Sequence, residues 1–131
     1  MNSKQRILVV DDDPGIAGIV KQSLERTGDY EVRTEHRGAD GLRAAHEFKP
    51  DLLLLDIVMP ECDGGDVLTQ FRRDDALKNI PVVFLTGTMT EAGLAARDGT
   101  IAGCAVISKQ TEMRKLAPRI EKILRATTSK G

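Results

Sequence analysis

The fold is decided by residues 51–60, which read DLLLLDIVMP. Four consecutive leucines run up to the carboxylate of Asp56, and turn-forming residues flank the apolar run on both sides. A short apolar run between turn signals is typical of a parallel strand that is buried on both faces. In an open α/β sheet, ligands bind beside the carboxyl ends of the strands, which is where Asp56 would lie. The stretch therefore predicts a buried strand that delivers a carboxylate to a binding edge.

A second apolar run near the amino terminus ends in the same way. Residues 7–10, ILVV, are followed by three consecutive acids, Asp11, Asp12 and Asp13. Because the strands of a doubly wound sheet end at a common crevice, we expect these acids to meet Asp56 there. Carboxylates gathered in one place repel each other and raise each other's pKa unless a cation holds them. The two runs together predict a divalent-cation site beside a reactive aspartate.

Composition narrows the classes of function. The 131 residues fit one domain with a real core, and 40% hydrophobic with 30% charged residues is ordinary for a soluble globule. A net charge of −1 and the lack of Trp argue against general attraction to nucleic acid or membrane and against a base-stacking surface. No apolar stretch suits a membrane span or a secretory signal, and Cys62 and Cys104 have no metal-ligand spacing. The sequence predicts a cytoplasmic protein.

Apolar runs alternate with amphipathic stretches along the chain, which is the pattern of repeated βα units around a parallel sheet. Strands are predicted at residues 6–11, 30–35, 51–56, 80–86 and 104–108. The second alternates apolar and polar residues, which favours an edge position. Helices are predicted at residues 14–27, 39–48, 65–73, 90–97 and 112–125, the last kinked or delayed by Pro118. Residues 1–126 would form one domain, and residues 127–131 a flexible polar tail.

Side chains suited to phosphoryl chemistry lie at the ends of four of these strands. They are Asp11, Asp12, Asp56, Thr86 and Lys109. The acids can hold Mg²⁺, which prefers oxygen ligands, and Asp56 can attack a phosphoryl group as a carboxylate nucleophile. Thr86 offers a hydroxyl, and Lys109 a positive charge, to the oxygens of the transferred group. The set predicts phosphoryl chemistry on Asp56.

These motifs resemble those of the receiver domains of two-component response regulators. The resemblance rests on Asp11 and Asp12 after the first strand, on residues 56–64 (DIVMPECDG), on Thr86 and on Lys109. It covers nearly the whole chain. It implies a flavodoxin-like, doubly wound α/β fold, with a five-stranded parallel sheet of order 2-1-3-4-5 and five helices.

The resemblance also implies a role for each acid of the cluster. Asp56 would be the phosphoacceptor, which receives its phosphoryl group from the phosphohistidine of a histidine kinase or of a phosphotransfer protein. Asp12 and Asp56 would bind Mg²⁺ directly, together with the backbone carbonyl of Val58. Asp11 would act mainly through a bound water.

The implied output is a phosphorylation-dependent signalling switch and not an enzyme, because the protein would catalyse only its own phosphorylation and dephosphorylation. Thr86 and Lys109 would contact the phosphoryl group and alter the surface of the fourth helix, fifth strand and fifth helix. A downstream protein, a fused effector domain or a second copy would bind that surface, with no direct contact to nucleic acid or membrane. Two positions depart from the family pattern: Gln110 replaces the usual Pro after Lys109, and Val106 replaces a common Tyr or Phe.

Three alternative functions stay open. A haloacid-dehalogenase-type phosphatase also uses Mg²⁺ and an Asp after its first strand, and residues 11–13 contain Asp-x-Asp, although Pro14 follows at once. A flavodoxin needs a phosphate loop rich in hydroxyls and glycine, whereas acids occupy that place here. A degenerate receiver that never takes phosphate is the third alternative.

Several other residues are interpreted as structural. Asp13 would cap the first helix and Pro14 would fit its first turn. His36 and His46 are assigned to the surface, away from the crevice at the strand ends, and neither is a phosphohistidine donor. Cys62 is interpreted as a loop thiol. None of these residues is predicted to take part in the chemistry.

Overall fold

A computed structural model describes residues 4–57, 59, 64–87, 100–101, 103–109 and 113–128. The predicted fourth helix, at residues 90–97, lies outside these ranges, and so do Val58, Cys62 and Gln110. The remaining predicted strands and helices can all be compared with the structure.

Strands and helices alternate along the chain as predicted. The strands are β1 (Gln5–Val10), β2 (Tyr30–Glu35), β3 (Leu52–Asp56), β4 (Val82–Thr86), β5 (Thr100–Ile101) and β6 (Cys104–Ser108). The helices are α1 (Pro14–Glu25), α2 (Gly38–Phe48), α3 (Gly64–Arg73) and α4 (Leu116–Thr128), and a 3₁₀ turn at Met113–Lys115 precedes the last. Of the helices in the described ranges, none is both long and apolar enough to cross a bilayer.

The strands form one sheet in the order β2-β1-β3-β4-β6-β5. All pairs are parallel except β5 with β6, which is antiparallel. β6 is the fifth of the predicted strands, so the five parallel strands have the predicted order 2-1-3-4-5. β2 lies at the predicted edge. The short strand β5 was not predicted; in it Ile101 pairs with Cys104 across a turn that contains Gly103 at φ 78°, a conformation that glycine adopts readily.

Helices cover both faces of the sheet. On one face, α1 and α4 pack through residues such as Leu24 and Ile120. On the other, α2 and α3 pack through residues such as Ala45 and Phe71. Strands β3 and β4 are buried along their whole length, as their unbroken apolar sequences predict. This doubly wound arrangement leaves the carboxyl ends of the central strands as the place for a site.

The start of α1 separates Asp13 from the other two acids that follow β1. Its Oδ1 accepts hydrogen bonds from the backbone N–H groups of Gly15 at 2.9 Å and Ile16 at 3.3 Å. Pro14 occupies the first helical turn, where a missing N–H is no loss. The predicted helix cap is confirmed, and the capping role occupies the Asp13 carboxylate.

The start of α4 agrees with the effect predicted for Pro118. The chain forms a 3₁₀ turn at Met113–Lys115, and the α-helix begins only at Leu116, so that Pro118 falls in its first turn. The helix then continues to Thr128, beyond the predicted end at residue 125. Proline therefore delays the helix and does not kink it in the middle.

Candidate metal centre and reactive aspartate

Three carboxylates meet at the carboxyl edge of the sheet. Asp11 and Asp12 directly follow β1, Asp56 is the last residue of β3, and the two strands are neighbours that pair Val10 with Leu55. One carboxylate oxygen of each acid lies within 4.8 Å of those of the other two. Asp11 is fully buried and Asp56 is only 5% exposed, whereas Asp12 faces solvent. The structure thus gathers the acids that the strand ends place at one edge.

Lys109 brings a positive charge to two of these acids. It directly follows β6, and its Nζ lies 2.8 Å from Asp11 Oδ2 and 3.3 Å from Asp56 Oδ2. Burial acts to lower the pKa of Lys109, but its contacts with Asp11 and then with Asp56 outweigh burial and raise that pKa above its ordinary value. The ammonium group is therefore held in its charged form, with a side chain that is only 15% exposed.

The surroundings of Asp56 raise its pKa to about 6. Burial is the largest cause, followed by a hydrogen bond with the Asp12 carboxyl group and by repulsion from Asp11. Lys109 acts in the opposite direction and does not cancel these effects. In this structure the negative charge of the cluster is therefore compensated only in part by protein groups.

The chemistry of Asp11 fits a hard divalent cation. Its Oδ1 accepts a hydrogen bond from the Asp13 N–H at 2.9 Å. Its Oδ2 is buried and contacts the Lys109 ammonium at 2.8 Å. A buried carboxylate oxygen beside two further carboxylates, with one lysine shared between Asp11 and Asp56, suits an ion that prefers oxygen ligands.

Thr86 and Lys109 stand at the ends of the next two strands of the sheet. Leu85 in β4 pairs with Asp56, so Thr86 lies one residue beyond it at the same edge, buried within the fold. The Lys109 N–H donates to the Thr86 carbonyl at 2.8 Å and continues the pairing of β4 with β6. The sheet therefore brings the predicted hydroxyl and ammonium residues to the edge that carries the acids.

Gly64, the first residue of α3, packs against the backbone that carries Asp56. Its N–H donates to the Ile57 carbonyl at 2.6 Å. A Cβ atom at this position would lie 2.7 Å from the Asp56 carbonyl oxygen and 3.1 Å from Cε1 of Phe84. Only glycine allows this close approach without a shift of the backbone. The tight contact was not predicted, because it depends on how α3 packs against the end of β3.

His36 is exposed, as predicted, but it lies beside the backbone of the acidic cluster, so the prediction that it is away from the crevice was wrong. β2 ends at Glu35, and the imidazole of the next residue places Nδ1 3.2 Å from the backbone oxygen of Asp11. The sequence did contain a signal, since the first residues after two paired parallel strands lie next to each other. His46, in contrast, does lie elsewhere, with Nε2 2.7 Å from Asp74 Oδ2.

A five-stranded parallel sheet with acids, a hydroxyl and a lysine at its carboxyl edge defines the receiver class of signalling proteins. Residues 7–121 match the family model of the response regulator receiver domain, and the chain belongs to that family. Members of the family are switches of two-component signalling that phosphorylation controls. The resemblance found in the sequence and the predicted fold are both confirmed.

Curated relatives are longer than this chain. It is 42% identical over 81 residues to the DNA-binding dual master transcriptional regulator RpaA of Synechocystis sp., an alignment that covers 62% of this chain and 33% of the relative. It is 34% identical over 119 residues to the transcriptional regulatory protein AfsQ1 of Streptomyces coelicolor, which covers 91% of this chain and 51% of the relative. The chain thus spans about half or less of the length of these relatives.

Solved structures give the same fold over almost the whole chain. The CheY-like response regulator receiver domain protein of Methanospirillum hungatei superposes with a TM-score of 0.80 at 29% identity, and covers 98% of this chain and 100% of that one. The N-terminal domain of a response regulator receiver protein from Methanoculleus marisnigri has a TM-score of 0.68 at 36% identity, with 93% and 98% covered. The fold described above is therefore that of known receivers.

Proposed function

We propose that Asp56 accepts a phosphoryl group from the phosphohistidine of a histidine kinase or phosphotransfer protein. The observation that carries the proposal is the convergence of three carboxylates and one lysine on a single sheet edge. An Asp56 oxygen attacks phosphorus, the phosphorus–nitrogen bond of the donor breaks, and the imidazole nitrogen takes a proton from water. The product is an acyl phosphate on Asp56.

Mg²⁺ is the cofactor that this donor set suits best. Asp12 and Asp56 would hold the ion directly, Asp11 would hold it through a water, and the Val58 carbonyl would complete the set. When bound, the ion offsets the negative charge that spreads over the phosphoryl oxygens in the transition state. An all-oxygen donor set, in which one lysine faces two of the three carboxylates, supports this choice.

Lys109 and Thr86 would act on the phosphoryl group itself. Lys109 Nζ lies 3.3 Å from Asp56 Oδ2, so phosphoryl oxygens attached to Asp56 fall within reach of its charge. Thr86 offers a hydroxyl donor from the neighbouring strand end. Because Thr86 ends β4 and Lys109 directly follows β6, a change in their contacts would be transmitted to the surface that the predicted fourth helix would form with β6 and α4. A downstream protein, a fused effector domain or a second copy would bind there.

The structural change that signals phosphorylation would rely on Thr86 and on backbone shifts. Val106, the residue that replaces the common aromatic, is 1% exposed within β6 and can neither rotate outward as a ring nor present a hydroxyl. On this proposal the protein is a cytoplasmic switch whose receiver domain comprises residues 1–126, with residues 127–131 as a polar tail that begins in the last two residues of α4. Its only catalysis would be its own phosphorylation and dephosphorylation.

Intact-mass measurement after incubation with acetyl phosphate and Mg²⁺ tests the assignment. We expect one added phosphoryl group on the wild type and none on Asp56→Asn. Asp75→Asn should be labelled like the wild type, because the Asp75 side chain is 99% exposed and pairs with Lys78 instead of with the cluster. Labelling of Asp56→Asn equal to that of the wild type would refute the acceptor. A wild type that is never labelled would favour the degenerate receiver.

The same variants distinguish the phosphatase alternative. Hydrolysis of a small phosphate ester that persists in Asp56→Asn but disappears in Asp11→Asn would support a haloacid-dehalogenase-type enzyme. We expect no such turnover, because the family match and the sheet order are those of receivers. Steady-state release of inorganic phosphate measures the difference directly.

A further inference from the structure

The connection between β2 and α2 places a histidine against the backbone of the acidic cluster. Nδ1 of His36 lies 3.2 Å from the carbonyl oxygen of Asp11. A carbonyl oxygen only accepts hydrogen bonds, so this contact requires a proton on Nδ1. His36 is itself exposed and fills no core position. Its defining contact is therefore a hydrogen bond donated to the residue that carries the buried carboxylate.

The sheet register explains why the imidazole is in this place. Val10 of β1 pairs with Glu35 of β2, and the Asp11 N–H donates to the Glu35 carbonyl at 3.0 Å. Beyond Glu35 the chain leaves the sheet and enters α2 at Gly38. The His36 side chain then supplies a donor to the next carbonyl of β1, where the backbone of β2 has turned away. The pairing of the two strands is in effect extended by one hydrogen bond.

This hydrogen bond acts on two of the three acids at once. The carbonyl of Asp11 belongs to the planar peptide unit that joins Asp11 to Asp12, so a donor to that oxygen fixes the plane of the peptide. The N–H of Asp11 is held by Glu35, and Oδ1 by the N–H of Asp13. With these contacts in place, Oδ2 of Asp11 is aimed into the cluster beside Lys109.

We propose that His36 is a positioning residue, whose Nδ1–H orients the peptide between Asp11 and Asp12 and so sets the geometry in which the cluster takes a divalent cation. The inference rests on the proposed function, because it treats the cluster as a cation site. His36 has no role in it as a ligand or as a carrier of phosphate. The requirement is a hydrogen-bond donor at the place of Nδ1.

Two substitutions of similar shape distinguish the effect of the hydrogen-bond donor from that of the imidazole ring. In His36→Asn the amide nitrogen can occupy the place of Nδ1 and keep the donor, whereas His36→Leu fills similar space without one. His46→Leu serves as the matched control, since the only other histidine of the sequence contacts Asp74 instead of the cluster. Thermal melts by circular dichroism establish that each variant is folded before binding is measured.

Titration calorimetry with MgCl₂ and no phosphodonor gives the first readout. Loss of one hydrogen bond corresponds to a weakening of about 3- to 10-fold in affinity, which we expect for His36→Leu. His36→Asn should remain within about twofold of the wild type by the same reasoning, and so should His46→Leu. A His36→Leu variant that binds Mg²⁺ as the wild type does overturns the positioning role, and so does a His36→Asn variant as weak as His36→Leu.

The tautomer of His36 gives a second readout that does not depend on the metal. Long-range proton–nitrogen correlation spectra recorded at about pH 8 distinguish Nδ1–H from Nε2–H. We expect the Nδ1–H form, and a neutral Nε2–H form would overturn the proposal. A wild type that binds no Mg²⁺ would overturn the cation site together with the positioning role, whereas equal binding by wild type and His36→Leu overturns the positioning role alone.

Discussion

Replacement of Asp56 by Asn should stabilise the metal-free protein at neutral and alkaline pH. The reason is the raised pKa of Asp56, which lies at about 6 in the folded protein against an ordinary value of 3.8. A carboxyl whose pKa is raised by folding contributes stability below its unfolded pKa. That stability is lost as the pH rises through the folded pKa. Above about pH 6 the folded protein therefore carries a carboxylate that would be more stable in the unfolded chain.

The pKa difference sets the size of the effect. Each pKa unit corresponds to about 1.36 kcal/mol, so a rise from 3.8 to about 6 corresponds to an unfavourable contribution of at most about 3 kcal/mol. Asn has nearly the shape of Asp and cannot ionise. We expect Lys109 to keep its closer partner, Asp11, which lies 2.8 Å away in the wild type. We expect Asp56→Asn to increase the free energy of unfolding by about 2–3 kcal/mol at pH 8.

Urea unfolding in the presence of EDTA at pH 4, 6 and 8, followed by circular dichroism, measures this difference. The gain should shrink towards zero at pH 4, because Asp56 of the wild type is then largely protonated. Addition of Mg²⁺ at pH 8 should stabilise the wild type more than the variant and narrow the gap. The exposed control Asp75→Asn should change stability by less than about 0.5 kcal/mol. A variant no more stable than the wild type at pH 8, or a gain that does not depend on pH, would refute the reasoning.

Two further substitutions probe the neighbours of Asp56. Lys109→Met should reduce the free energy of unfolding without metal by about 3 kcal/mol, because it leaves the buried Asp11 carboxylate without its ion pair, and Mg²⁺ should restore part of the loss in urea unfolding. Gly64→Ala should reduce it by about 1–3 kcal/mol and slow acetyl phosphate labelling, since the new Cβ would meet the Asp56 carbonyl oxygen at 2.7 Å. Gly18→Ala, with open space around the added Cβ, should instead stabilise α1 by about 0.5–1 kcal/mol; equal losses in both glycine variants would contradict the steric argument.

The parts of the fold that the sequence could predict are those encoded in consecutive residues. Four leucines that end at Asp56, with turn-forming residues on both sides, predict a buried strand with a carboxylate at its end, and the structure has that strand. The same logic places Asp11 at the neighbouring strand end, and the Asp–Pro pair at residues 13–14 marks the start of a helix. β5 was not predicted, because a strand of two residues shows no alternation of apolar and polar side chains. Its pairing depends on the turn at Gly103.

The site details that escaped prediction depend on contacts between separate elements. The direction of the His36 side chain follows from the register of β1 with β2, which a single strand's sequence does not specify. The need for glycine at position 64 follows from how α3 approaches the end of β3. The pKa of Asp56 likewise reflects the sum of burial, Asp12, Asp11 and an incomplete compensation by Lys109. These contributions to the pKa depend on distances between side chains, whereas the spacing of residues in the sequence indicates only which side chains lie near each other.

The arrangement of the cluster links the unfavourable electrostatic contribution of ionised Asp56 to the proposed chemistry. If stability alone had shaped this edge, a second cation or a neutral residue at position 56 would remove the excess negative charge of the acids. Instead one lysine lies between Asp11 and Asp56, closer to the former, and the pKa of Asp56 stays raised. The excess negative charge of the acids favours the binding of a cation. Asp56 has the longer lysine contact, 3.3 Å against 2.8 Å for Asp11. A variant that gains stability by neutralising Asp56 should therefore lose phosphoryl acceptance, which is the trade-off expected where a protein keeps a strained site for function.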